Sequence, residues 1–174
     1  MTWHEYQDTP LVTVDDYLAS SKTFAIASYQ YKDQLFSIVY DVNGKYLVKK
    51  KPLHIVRDSC RSYGFTYDER VNQAKRYIQN KHKLPVVIEH DFNVPVILFP
   101  LYSAKSEHNI WLSTHAIQGI FNCKTHCNIS FPNDKLLSIP VTHNVVNTQY
   151  ACACAFSRKL QMLKFERRLQ HFEL

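Results

Sequence analysis

Glycine is scarce in this chain, since only three of its 174 residues are glycine. Loops that cradle nucleotide phosphates depend on repeated glycines, because only glycine lets the backbone come so close to a ligand. The sequence therefore nearly excludes a P-loop or a dinucleotide-binding fold built on such a loop.

The chain also lacks a long apolar run and an even set of cysteines. No segment reaches the roughly 20 apolar residues that a membrane-spanning helix needs, and the start, MTWHEYQDTP, has no basic region followed by an apolar stretch. Its five cysteines cannot all pair within one chain. We therefore expect a cytoplasmic protein with reduced thiols and no membrane partner.

What the chain does have is apolar material for a core. Hydrophobic residues make up 45% of the chain and aromatic residues 13%. Disordered chains contain smaller fractions of both kinds of residue. Neither an internal repeat nor a convincing linker is visible. We expect residues 1–174 to form a single domain.

Positive charge is concentrated in the middle of the chain. The net charge is +6, yet residues 1–44 hold two basic and six acidic residues, whereas residues 45–83 hold eleven basic and three acidic ones. The stretch KYLVKKKPLHIVRDSCRSYG, residues 45–64, alone has six Lys or Arg. Such a block favours an anionic partner, with nucleic acid or an acidic membrane surface as the first candidates. A solvated basic face without a partner is the plainer alternative.

The region before this block has the pattern of a β-hairpin. Residues 23–31 and 35–42 are rich in aromatic and β-branched side chains, which favour strands. Asn43-Gly44 predicts a type I′ turn, and residues 45–51 return as the next strand. Pro52 cannot donate to a strand ladder and should end the pairing.

A helix is predicted over about residues 66–80. Thr66 and Glu69 form a T-x-x-E capping box at its start. Residues at helical spacing should face the core: Tyr67, Val71, Ala74 and Ile78. The opposite face has amides and a guanidinium, which can hydrogen-bond to base edges as well as phosphates: Asn72, Gln73, Arg76, Gln79 and Asn80. An ordinary polar helix face is the alternative.

After residue 84 the pattern predicts short strands over 85–90, 94–100, 110–121, 127–131 and 135–141. A long helix should then run over about 144–172, with an apolar stripe that we assign to dimerisation: Phe156, Leu160, Leu163 and Leu169. The fold class predicted is α+β, an antiparallel β-rich single domain with a central helix and a long C-terminal helix.

The cysteines could form a zinc site or a catalytic nucleophile, but the sequence supports neither. Cys123, Cys127, Cys152 and Cys154 could in principle bind zinc, but their spacings lack the C-x-x-C knuckle, so we expect free thiols and no metal. Cys60 lies near His54 and two arginines that could lower a thiol pKa, yet no third group orients a nucleophile. We expect no enzyme and no cofactor, with Cys60 packed beneath the basic segment.

The order of several segments then becomes informative: KPLHIVRDSCRSYG, a helix, VPVILFPLYS, IWLSTH and LLSIPVTHNVVNTQYACACAFSRKLQ. This series resembles the competence transcription factor (ComK) family of Gram-positive bacteria over roughly residues 45–162. Residues 51–64 are the most specific part of the resemblance.

The resemblance implies a DNA-binding transcriptional activator of genes for DNA uptake and natural transformation. Family members bind paired A/T-rich promoter boxes as dimers that assemble further, and they are described as approaching from the minor groove. Such a protein works in the cytoplasm, on the nucleoid. In the best-known branch an adapter delivers the factor to a Clp-type protease, but the C-terminal QHFEL has no clear counterpart of the motif that the adapter reads.

We therefore expect residues 45–64 to be a strand end and a loop held against DNA phosphates, with the following helix as a second candidate reader. The expected DNA-binding residues are Lys49, Lys50, Lys51, Arg57, Arg61, Arg70, Gln73, Arg76, Asn80, Lys81 and Lys83. A regulatory or adaptor module that uses the basic face on an acidic protein partner is the alternative function.

Overall fold

The structure, a computed structural model, describes residues 10–79, 82–91 and 94–172. Within these ranges the chain forms ten strands, three α-helices and a short 3-10 helix, Thr114–Ala116. The helices are α1 (Pro52–Ser62), α2 (Tyr67–Lys75) and α3 (His143–Phe172). The strands are β1 (Leu11–Val14), β2 (Thr23–Tyr31), β3 (Gln34–Asp41), β4 (Gly44–Val48), β5 (Val86–Asp91), β6 (Val94–Pro100), β7 (Ile110–Ser113), β8 (Gly119–Cys123), β9 (His126–Phe131) and β10 (Lys135–Ile139).

The strands form two sheets. The larger has seven strands in the order β1-β4-β3-β2-β7-β6-β5, and the smaller has the order β10-β9-β8. Neighbouring strands are antiparallel except for β1 and β4, which run parallel. The predicted class, α+β and rich in antiparallel strands with a long C-terminal helix, is confirmed.

The central strands of the seven-stranded sheet are buried on both faces, and side chains alternate between these faces along each strand. In β7, Trp111 packs in the cluster that contains Ile55 and Val56 of α1. Its neighbours Ile110 and Leu112 pack in the second cluster, with the small sheet and α3. The sheet is thus the middle layer, and α1 lies on one side of it while α3 lies on the other.

The predicted hairpin is present, but its turn lies one residue earlier than expected. Asp41 pairs with Gly44, so Val42 and Asn43 are the loop residues. A carboxylate oxygen of Asp41 accepts a hydrogen bond from the Asn43 backbone N–H at 2.8 Å. This side-chain bond, which Asp commonly makes at turns, favours the observed position.

The prediction of a loop over residues 52–64 was wrong, because residues 52–62 form α1. Pro52 is at the start of the helix, where its fixed φ is suitable and no N–H is needed. Ile55, Val56, Ser59 and Cys60 are buried at helical spacing against the sheet. Pro52 therefore ends the strand, as expected, and also begins a helix.

The capping box at α2 is confirmed. The Thr66 hydroxyl accepts a hydrogen bond from the Glu69 N–H at 3.2 Å, and the Glu69 carboxylate accepts one from the Thr66 N–H at 2.6 Å. The helix ends at Lys75 rather than near residue 80, and its last turn tightens as Tyr77 N–H bonds to the Ala74 carbonyl.

The single strand predicted over residues 110–121 is in fact two strands in different sheets. β7 belongs to the large sheet and β8 to the small one, and the 3-10 helix Thr114–Ala116 joins them. Residues 110–114 are buried throughout, as in a central strand, while β8 is only partly covered. None of the helices in the described residues is long and apolar enough to cross a membrane.

Candidate nucleic-acid interface

The basic block forms one corner of the molecule, at the end of β4 and along the outer face of α1. Lys49, Lys50 and Lys51 connect the strand to the helix, and Lys51 is the residue just before the helix begins. A helix N-terminus carries partial positive charge from its unpaired N–H groups. The three lysines and the helix terminus therefore add positive potential at the same place.

The exposed side of α1 continues this surface. His54, Arg57, Asp58 and Arg61 recur at helical spacing and, with Lys50, line a depression of about 300 Å³. The buried side of the same helix holds it against the sheet, so these side chains project from a fixed support. His54 was not among the predicted site residues. Its helical spacing to Arg57 and Arg61 would have placed it on the same face, but residues 52–64 were predicted to form a loop.

The three lysines are paired with carboxylates. Lys49 Nζ lies 2.8 Å from Asp15, and Lys50 Nζ lies 2.9 Å from Asp16 and 2.7 Å from Asp58. Lys51 Nζ lies 4.0 Å from Glu107 and Arg61 lies 3.6 Å from Asp58. Acidic residues distant in the sequence therefore offset much of the charge of the block.

These contacts shift the pKa values of Lys50 and Asp16. Hydrogen bonds to Asp58 and then to Asp16 raise the pKa of Lys50. The bond from Lys50 lowers the pKa of Asp16. Both groups are charged at neutral pH, so the pairing reduces net potential without removing charges.

Arg57 and Arg61 are the arginines of the exposed α1 face. The Arg61 side chain is 70% exposed. Arg57 is half-buried and its guanidinium lies 5.6 Å from the centre of the Tyr67 ring, within cation–π range. Burial raises the pKa of Tyr67 to about 12, so the ring stays a neutral phenol under Arg57.

Arg70, which was predicted to bind DNA, is buried and only 5% exposed. Its guanidinium stacks 3.7 Å from the centre of the Phe65 ring and donates a hydrogen bond to the Gln73 side chain at 3.1 Å. Burial lowers its pKa. Arg70 thus holds the α1–α2 connection in place, and Gln73 is half-buried and engaged by it.

The remaining predicted residues of this region are dispersed. Arg76 is exposed at the end of α2, and Lys83 is half-buried with a left-handed backbone, φ 57°. Asn80 and Lys81 lie outside the described residues. The polar face of one continuous helix over 66–80 is therefore not present as predicted.

The apolar stripe of α3 divides into a buried part and an exposed part. Phe156 and Leu160, which were predicted to serve in dimerisation, are 2% and 6% exposed and pack in the chain's own core. Leu163 is half-buried. Leu169 is exposed, and so are Met162 and Phe165, which lie outside the predicted stripe.

The cysteines have the surroundings of structural thiols. Cys60 is fully buried on the inner face of α1, and burial raises its pKa to about 11. A thiol with such a pKa is almost wholly protonated at neutral pH and is a poor nucleophile. Among the side chains that the structure describes, no group of three or more His, Cys, Asp or Glu is arranged to hold a metal ion.

Comparisons with known proteins identify the family to which the chain belongs. The competence transcription factor of Bacillus subtilis (strain 168) is 24% identical over 165 residues, which cover 94% of this chain and 81% of that protein. No solved structure matches the chain. The model of the ComK protein family matches residues 14–164, which include the basic corner, strands β2 to β10 and most of α3. The chain therefore belongs to the ComK family.

Proposed function

We propose that this protein is a competence transcription regulator that binds double-stranded DNA through the basic corner formed by the end of β4 and the outer face of α1. The observation that carries the proposal is the alignment of Lys49, Lys50, Lys51, His54, Arg57 and Arg61 along one supported surface. The name of the related Bacillus subtilis protein, a competence transcription factor, supports the same role.

The phosphate backbone would supply most of the affinity. Cations held on a folded helix lose less conformational freedom on binding than cations on a disordered tail. Each phosphate neutralised by an unpaired Lys or Arg releases about 0.9 counterions, so affinity should fall steeply with salt. No step requires an active site, a cofactor or a metal, and we infer a non-enzymatic protein that works on the nucleoid in the cytoplasm.

Preference for A/T-rich boxes would come from Arg57 and Arg61. A/T tracts narrow the minor groove and concentrate its negative potential, which attracts arginine. We assign this role to α1 rather than α2, since Gln73 is bonded to Arg70 and α2 ends at Lys75. Arg76 is the exposed residue of α2 best placed to add a contact.

We propose that two copies pair through the end of α3. Met162, Phe165 and Leu169 are 47%, 61% and 49% exposed and follow one another at intervals of three and four residues. Such spacing places them on one helix face, as in helix pairs. Two paired DNA boxes would then match the twofold symmetry of the dimer.

A binding titration tests the DNA proposal. A fluorescent duplex with paired A/T boxes and a scrambled duplex would be titrated at two salt concentrations with wild type, Arg57→Gln, Arg61→Gln and Lys124→Gln. Lys124 is an exposed lysine in the β8–β9 connection of the small sheet, away from α1, and serves as the charge-matched control.

We expect selective binding by wild type and a salt slope that is shallower by about one for each arginine variant. Lys124→Gln should behave as wild type. Equal and weak binding of both duplexes, unchanged by the arginine variants, would contradict the proposal and favour an acidic protein partner.

A further inference from the structure

Two acidic residues before the hairpin hold the lysines of the basic corner. β1 runs parallel to β4 at the sheet edge, with Val14 paired to Val48, and the Lys49 N–H donates to the Val14 carbonyl at 3.2 Å. Asp15 and Asp16 follow directly and therefore reach Lys49 and Lys50, at 2.8 and 2.9 Å. The strand pairing thus fixes which carboxylate meets which lysine.

The segment that follows is anchored to the rest of the fold. The Tyr17 hydroxyl donates to the Asp41 carboxylate and lies 2.8 Å from the Thr23 hydroxyl. The Ala19 N–H donates to the Ser59 hydroxyl of α1 at 2.8 Å. Asp15 and Asp16 are therefore tethered on both sides, by β1 and by Tyr17 and Ala19.

Although the segment is anchored, its two carboxylates remain accessible to solvent. The Asp15 side chain is 86% exposed and that of Asp16 is 60% exposed. Exposed ion pairs of this kind are individually weak. A competing anion can therefore replace either carboxylate by a change of side-chain rotamer, without unfolding of the tether.

We propose that Asp15 and Asp16 occupy positions that DNA phosphates take in the complex, so that DNA binds by displacing them from Lys49 and Lys50. This inference rests on the proposed function and deepens it. A carboxylate and a phosphate both offer oxygen acceptors with negative charge, so they compete for the same ammonium groups. The two aspartates then weaken the binding of any partner whose anionic groups compete poorly with their carboxylates.

Two measurable consequences follow. Removing one carboxylate should tighten binding to any duplex by a factor of about two to five, the scale of one exposed ion pair. It should also steepen the salt dependence, because a lysine freed from its carboxylate neutralises a DNA phosphate more fully and more of the condensed counterions are released. The wild-type slope is expected to be shallower than the number of lysines implies.

The experiment compares three variants that each remove one negative charge from an exposed side chain: Asp15→Asn, Asp16→Asn and Asp134→Asn. Asp134 lies in the β9–β10 turn of the small sheet. Titrations of a duplex with paired A/T boxes at four salt concentrations give Kd and the slope, and thermal melting checks the fold. We expect tighter binding and a steeper slope for both the Asp15 and Asp16 variants beyond any shift of the Asp134 control. The change should be larger for Asp15→Asn, because Lys50 keeps its contact with Asp58 when Asp16 is replaced.

A double-mutant cycle makes the assignment specific to one pair. In a Lys49→Gln background, Asp15→Asn should no longer tighten binding, because the ammonium that it frees is absent. If wild type binds DNA but the Asp15 and Asp16 variants match Asp134→Asn, the inference is wrong and the proposed function stands. If neither wild type nor the variants bind any duplex at low salt, the proposed function fails, and this inference fails with it.

Discussion

Lys50 Nζ lies 2.7 Å from a carboxylate oxygen of Asp58, in the second turn of α1. The Asp16 carboxylate contacts the same ammonium group, and Asp16 precedes Lys50 in the sequence whereas Asp58 follows it. Lys50 is 30% exposed and Asp58 is 29% exposed, so solvent reaches the pair only in part. The central lysine of the basic block thus links β4, α1 and the segment after β1.

Replacing Lys50 by alanine should change DNA binding less than replacing Arg61. Two carboxylates lie within 2.9 Å of Lys50 Nζ, so its loss should reduce the salt slope by well under one. Arg61 is 70% exposed and makes a longer contact with Asp58, at 3.6 Å, so Arg61→Ala should reduce the slope by closer to one. Salt-dependent titration of one duplex with both variants measures the difference. A larger loss of slope for Lys50→Ala than for Arg61→Ala would show that Lys50 is an unshielded phosphate contact.

Arg70→Ala should act on stability rather than on DNA recognition. The change removes the packing on Phe65 and the hydrogen bond to Gln73, and we expect a loss of about 1–3 kcal/mol in the free energy of unfolding. Arg76→Ala, on the exposed end of α2, should cost within about 0.5 kcal/mol. Urea unfolding measures both values.

A stable Arg70→Ala protein that loses affinity for DNA would contradict this structural role. The ratio of Kd values for A/T-box and scrambled duplexes should stay unchanged in the folded variant, because the side chain is buried. That ratio is measured below the temperature at which the variant begins to unfold.

Local signals in the sequence predicted several elements well. The capping box from Thr66 to Glu69 fixed the start of α2, because both partners lie within one turn and need no tertiary contact. The strands over 23–31 and 94–100 were predicted from residue type, since a pleated and buried surface favours such side chains. α1 was missed because Pro52 signals a strand end and a helix start equally well.

The charge of the site could not be read from its local sequence. Residues 45–64 contain six Lys or Arg, but Asp16 lies 34 residues before Lys50 and reaches it only through the parallel pairing of β1 and β4. Glu107 reaches Lys51 from the opposite direction along the chain. Long-range pairing of this kind depends on topology, and a count of charges per segment therefore overestimated the unshielded potential.

Thr66→Ala should lower stability by about 1 kcal/mol, because the Glu69 N–H loses its side-chain acceptor at the helix start. Thr66→Ser keeps the hydroxyl and should retain most of the stability. Chemical denaturation at neutral pH compares the three proteins. A Thr66→Ala variant as stable as wild type would show that water replaces the cap at no cost.

The same cap should give a pH dependence through Glu69. Hydrogen bonds from Thr66, the backbone N–H first, lower the pKa of the Glu69 carboxyl in the folded protein. Its contribution is therefore present above the ordinary pKa of about 4.3 and is lost as the pH falls toward the lowered value. The stability difference between wild type and Glu69→Gln should shrink over that acidic window, as measured by unfolding at a series of pH values.

Phe165 and Phe156 lie on the same helix but should respond differently to substitution. Phe165→Ser removes an exposed ring, so we expect unchanged stability and a shift from dimer to monomer in sedimentation at micromolar concentration. Phe156→Ala empties a buried site that contacts Tyr77, and should cost about 3–5 kcal/mol of stability. If Phe165→Ser remains as dimeric as wild type, the end of α3 is not the contact between copies, because Phe165 is the most exposed of its three apolar side chains, at 61%, and should lose the most contact area.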